Sequence, residues 1–197
     1  DAITTGGDNV AVGANALTAN TTANNNTAVG SASLITNTTG ANNTGLGNSA
    51  LYANTTGANN TAVGYQALDA NTTAGNNTAV GVSSLGANTT GTANTAVGAL
   101  AGDALTTGHY NTVMGYQTLS ADTLGTRSVA IGMQALAVQN FTSETSVYNT
   151  AVGFQAGVAV TTGVQNVLIG GLAGDALTDA DYNVAIGIEA LSADTLG

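Results

Sequence analysis

The chain has 197 residues, among them 36 Ala, 33 Thr, 27 Gly and 23 Asn, with no Cys, Pro or Trp and a single Lys or Arg. Charged residues make up 6% and the formal net charge is -10, so a phosphate-tracking groove, which needs several cations, is excluded, and nucleic acid is not an expected partner. Disulfides and thiolate chemistry are excluded as well. No apolar run approaches the ~18 residues that span a bilayer, so no membrane insertion by this segment is expected.

Gly-terminated apolar segments recur in chain order: Asn9 to Gly13 (NVAVG), Asn26 to Gly30 (NTAVG), Asn43 to Gly47 (NTGLG), Asn60 to Gly64, Asn77 to Gly81 and Asn94 to Gly98. They continue as Asn111 to Gly115 (NTVMG), Ser128 to Gly132 (SVAIG), Asn149 to Gly153, Asn166 to Gly170 (NVLIG) and Asn183 to Gly187 (NVAIG). Nine of the ten intervals between the closing glycines are 17 residues and one is 21. A strict short period of this kind marks a solenoid of stacked coils. The fold expected is all-β, a parallel β-roll or β-solenoid of about eleven 17-residue coils. Residues 1–197 form one repeat array, cut mid-repeat at both ends and so read as a segment of a longer fibre.

Within each segment the alternation is that of a strand. The residue before the Gly is always a large aliphatic or Met, and Val12, Val29, Val63, Val80, Val97, Ile131, Val152, Ile169 and Ile186 are expected to fill the core. The opposite face, largely Ala and Gly, carries no long polar side chain, and close packing against copies of the same chain is expected to bury it. Four residues after the Gly stands Leu in eight repeats, including Leu17, Leu34, Leu51, Leu68 and Leu85, and Gly in three. In those three, Leu105, Val160 or Leu177 appears three positions later, where the other regular repeats carry Asn or Asp. One core slot of fixed volume per coil explains the exchange. The intervening Asn-Thr-Thr-Gly stretches read as tight turns, giving two short strands and two turns per coil, with stacked Asn and Thr able to form side-chain ladders.

Two or three large aliphatics per coil are few against a backbone ordering cost of ~1–2 kcal/mol per residue, so a symmetric oligomer is expected. The SVAIG and NTAVG segments resemble the head repeats of trimeric autotransporter adhesins, a left-handed parallel β-roll, and NTAVGYQAL at residues 60–68 resembles repeats of bacteriophage tail fibres. The resemblance implies a homotrimeric fibre, extracellular, on a cell surface or on a virion, that attaches to a host or surface glycan or protein receptor. It carries no catalytic residues over. The coils here are longer than those of the adhesin heads.

Catalysis is not expected, because His109, Arg127 and the two glutamates Glu144 and Glu189 stand in no nucleophile or metal-ligand spacing. A tailspike-type glycosidase would require paired carboxylates. No cofactor or metal is expected. His109 reads as a solvated turn residue, with a symmetric cluster of three copies as the alternative. Asp179, Asp181 and Asn183 resemble the opening of a calcium loop that lacks its Gly and distal Glu. Ten Asn-x-Ser/Thr triplets follow from composition. Rows of Thr and Asn leave an ice- or glycan-binding solenoid as the alternative function. The 21-residue interval places four extra residues within 137–148, and repeat arrays put insertions in loops, often on the binding face. A loop from Ala137 to Tyr148 is therefore expected to project, with Phe141, Glu144 and Tyr148, and Arg127 one coil earlier, as the candidate ligand-binding residues.

Overall fold

A computed structural model describes residues 5–195. The chain is a parallel β-solenoid whose coils contribute one three-residue strand each: β1 (Val10–Val12), β2 (Thr27–Val29), β3 (Thr44–Leu46), β4 (Thr61–Val63), β5 (Thr78–Val80), β6 (Thr95–Val97) and β7 (Thr112–Met114), then β9 (Val129–Ile131), β11 (Thr150–Val152), β12 (Val167–Ile169) and β13 (Val184–Ile186). These pair in one eleven-stranded sheet, each strand on its neighbour in the chain and always parallel. The register follows the repeat, so Thr61 pairs with Thr78 and Val63 with Val80. Two further strands, β8 (Gly125–Thr126) and β10 (Thr145–Ser146), pair only with each other. Among the described residues there is no helix.

The second strand expected in each coil is absent apart from β8 and β10, and the backbone shows why. The residues two and four positions after each closing Gly carry positive φ, as at Gln66 (54°) and Leu68 (51°), and left-handed residues turn the chain instead of extending it. The closing Gly itself is obligatory. Gly64 has φ 141°, and a Cβ there would run into the carbonyl oxygen of Gly81 on the next coil.

The core phase is the reverse of the sequence expectation. In the middle of each strand Ala28, Ala62, Ala79, Ala96, Ala130 and Ala151 are wholly buried inside the coil, against Leu34, Leu51, Leu68, Leu85, Leu119 and Leu136. The residues expected to fill the core point out of it. Val12, Ile169 and Ile186 are exposed, and Val29, Val63, Val80, Val97, Ile131 and Val152 are half-buried. The physical reason is width. A 17-residue coil already holds one Leu and a small residue such as Ala50 or Ala67 opposite the strand, leaving room for a methyl group only. Leu17, Leu34, Leu51, Leu68 and Leu85 lie in the core as expected.

Where the Leu gives way to Gly, the slot is refilled from two sides. Leu105, Val160 and Leu177 are fully buried, and the strand-centre position enlarges to Val113 and Leu168 in neighbouring coils. Leu168 reaches toward both Gly157 and Gly174, whose hypothetical Cβ atoms would each lie 2.7 Å from one of its methyl groups.

Two amide ladders run through this core. Asn71 donates through Nδ2 to Asn54 Oδ1 (2.8 Å), as Asn54 does to Asn37 (2.8 Å). In the second ladder Asn43 Oδ1 accepts the backbone N–H of Asn60 (2.9 Å) while its Nδ2 donates to the carbonyl of Gly57 (2.8 Å). Each amide thereby binds the next coil, which satisfies polar groups the thin core would otherwise strand at roughly 1–3 kcal/mol apiece. The first ladder is interrupted at Leu105, where Asn88 Oδ1 is left without a partner, and resumes at Asp122 and Gln139.

Candidate binding surface

The long coil between Gly132 and Gly153 turns its largest apolar insertion residues inward rather than displaying them. Phe141 is 7% exposed and Val147 is fully buried, while the longest exposed run of the expected loop is Thr142, Ser143 and Glu144. Phe141 is not a surface ligand contact. An aromatic ring there fills the wider cross-section of the longer coil, and its backbone is tied on both sides, its N–H donating to Asp122 Oδ1 (3.3 Å) and its carbonyl accepting Thr123 Oγ1 (3.1 Å). Inside, Gln139 joins the two ladders: Nε2 donates to Asp122 Oδ2 (2.6 Å), and Oε1 accepts Asn149 Nδ2 (2.9 Å). Burial pushes the Asp122 carboxyl above its ordinary value, opposed by the hydrogen bonds from Gln139, Gly125 and Phe141.

Arg127 and Tyr148 are exposed and lie together with a third residue that sequence reasoning missed. The guanidinium carbon of Arg127 lies 5.4 Å from the ring centre of Tyr110 and 5.7 Å from that of Tyr148. Its Nη1 donates to Ser146 Oγ (2.7 Å) and Thr126 Oγ1 (3.1 Å), tying β8 to β10. No carboxylate accompanies it in this contact set, and Glu144 stands apart in that exposed run. All three members of the stack occupy the corner just before the second ladder, a position that carries positive φ in every coil: 61° at Tyr110, 64° at Arg127 and 54° at Tyr148. In four N-terminal coils this corner holds Asn25, Asn42, Asn59 and Asn76, whose exposed side chains form a ladder of their own. Asn tolerates that conformation well; Tyr and Arg do not.

The outer face of the main sheet is the other prominent surface. Val12 (57% exposed), Leu46, Met114, Ile169 and Ile186 (67%) stand on it, with Thr or Val two residues before each. Tyr65, Val82, Tyr116, Met133, Phe154 and Ile188 border it just beyond the closing glycines, all at least 42% exposed. None of the chain's charged residues falls in these three rows.

The remaining sequence candidates are accounted for locally. His109 Nδ1 accepts the backbone N–H of Thr92 (2.9 Å), so it caps the neighbouring coil instead of facing solvent freely. Asp181 does the same for Val164 (2.7 Å), while Asp179 accepts from Thr178 and Asn183 belongs to the second ladder. No cluster of three His, Cys, Asp or Glu is found among the described residues. The Asn-x-Thr triplets split in two: Asn20, Asn37, Asn54, Asn71 and Asn88 are buried ladder members, whereas Asn25, Asn42, Asn59, Asn76 and Asn140 are exposed.

Comparison with protein families, with characterised proteins and with solved structures returns no match to this chain. The surface itself therefore carries the functional argument.

Proposed function

We propose that this segment is a structural and adhesive fibre module, a stiff homotrimeric rod at a cell or virion surface that presents its corners to a host or surface receptor and catalyses nothing. The observation that supports the reading is the uncharged apolar outer face of the sheet. Contiguous exposed apolar surface marks an interaction site, and on this face one aliphatic or Met side chain per coil points outward along the whole sheet, flanked mostly by Thr or Val. Covering what is left exposed of each large aliphatic on it contributes at most roughly 1.5–3 kcal/mol, with aliphatic or Met side chains at successive levels. A second copy of the same chain supplies the same repeat of about 4.8 Å along the axis, so parallel copies match level by level. The number three follows the resemblance to adhesin heads; the apolar face requires only that copies cover one another. The test is sedimentation of the native particle. Three times the 19.0 kDa chain mass supports the proposal, and a monomer at micromolar concentration overturns it.

One observation favours a second reading. Thr22, Thr39, Thr56, Thr73 and Thr90 form an unbroken exposed row, separate from Thr55 and Thr72, whose hydroxyls donate to carbonyls of the next coil. A regular file of methyl and hydroxyl groups is the chemistry of an ice-binding surface. Thermal hysteresis in a monomeric sample supports that reading; its absence removes it.

A further inference from the structure

The corner row changes character along the rod without a change in backbone. Asn, the cheapest non-glycine residue in a left-handed conformation, gives way to Tyr110, Arg127 and Tyr148 at φ between 54° and 64°, at a cost on the order of 1 kcal/mol for each bulky residue. Arg127 is the only cation among Lys and Arg in a chain of net charge -10. It is exposed, and its side-chain hydrogen bonds, to Ser146 and Thr126, use Nη1 alone. The outer edge of the guanidinium is left for an acceptor from outside.

We propose that Tyr110, Arg127 and Tyr148 form a binding site for an anionic saccharide. The guanidinium fork pairs bidentately with a planar carboxylate or with two oxygens of a sulfate. The tyrosines, 57% and 53% exposed, flank it on both sides and lend amphipathic edges to a sugar ring, each with two rotors to freeze. On the far side of Tyr110 the same corner is occupied by Ala93, small enough to leave that ring open to a second sugar along the axis. Repulsion from the acidic chain is screened beyond ~8 Å at physiological salt, so the contact at Arg127 decides the sign. The site names the ligand class for the adhesive reading above and rests on it: a trimer repeats the site three times at one height, which raises avidity for a polymeric ligand.

The test is calorimetric titration of the full chain with three hexasaccharides of equal length: a uronate, a sulfated one and a neutral one. The expected result is binding of at least one anionic hexasaccharide at least tenfold tighter than the neutral one, lost tenfold or more in Arg127→Gln and weakened in Tyr110→Ala. The uronate and sulfated arms identify the anion. Tyr148→Phe, which keeps the stack, serves as the folding control, and sedimentation on every variant separates loss of the site from loss of assembly. Equal affinity for neutral and anionic sugars, no anionic binding below millimolar, or unchanged binding in Arg127→Gln each overturns the proposal and leaves the stack as a clamp between β8 and β10.

Discussion

Gln139 donates through Nε2 to Asp122 Oδ2 at 2.6 Å, and this bond sits where the long coil departs from the 17-residue rule. Asp122 occupies the ladder position that Asn37, Asn54, Asn71 and Asn88 hold in earlier coils. The ladder has thus acquired a carboxylate in a core with no cation beside it.

That placement fixes a pH dependence. Burial raises the folded-state value of Asp122 above the ordinary 3.8, and Asp69 and Asp103 are shifted in the same direction by the same cause. A raised folded value means that the folded chain binds more protons than the unfolded chain, so this contribution to stability grows as pH falls through the folded value and levels off below the unfolded one. Asp122→Asn removes this titrating group and is expected to flatten the rise in Tm on mild acidification. A calorimetric pH series of parent and variant checks it; an equal slope in both contradicts it.

Neighbouring residues of one strand are expected to fail differently. Ala79 is fully buried and Val80 faces outward. Ala79→Leu overpacks a slot sized for a methyl group and should cost ~1–3 kcal/mol or more, seen as a lower Tm of the single chain. Val80→Asp should leave the coil's circular dichroism intact while abolishing self-association, because it places a charge in the apolar outer face. Loss of the fold in Val80→Asp alone would show that the core phase described above is wrong.

In the first ladder, Asn54→Ala removes an acceptor from Asn71 and donors to Asn37 and Gly57. One to two unsatisfied buried groups at ~1–3 kcal/mol each should lower Tm by several degrees. Thr56→Ala, on the exposed side of the same turn, should lie within 0.5 kcal/mol of the parent. Equal effects would remove the ladder from the stability account.

At the long coil, Phe141→Ala is expected to cost 3–5 kcal/mol without touching ligand affinity, whereas deleting Thr142, Ser143 and Glu144 should leave Tm nearly unchanged, since loop length enters closure entropy only logarithmically. Differential scanning calorimetry separates the two.

The period, the parallel register and the Leu/Gly exchange were legible because stacking forces them on any sequence that coils at fixed length. The phase of the strand was not, since alternation tells which residues share a face and is silent on which face is inside. The rule that large aliphatics go inward fails where a coil is too thin to hold Val beside Leu68 and Ala67. The signal was present at Val113 and Leu168, which enlarge near Gly102, Gly157 and Gly174 and so mark the strand centre as part of the same slot. Phe141 misled for a related reason: a rare aromatic in an insertion reads as display, while a longer coil needs a larger filler. Tyr110 was missed because only the aligned corner positions 110, 127 and 148 bring it beside Arg127 and Tyr148.

The absence of cysteine allows the central claim, that copies meet through the outer face, to be tested with single thiols. Val97→Cys places one in the outward row of β6, and Thr73→Cys places one in the exposed Thr row of the turn. Under mild oxidation the proposed assembly predicts covalent dimers from Val97→Cys, two of three symmetry-related thiols joining across the axis, and none from Thr73→Cys. Cross-linking of Thr73→Cys with Val97→Cys left monomeric would contradict it.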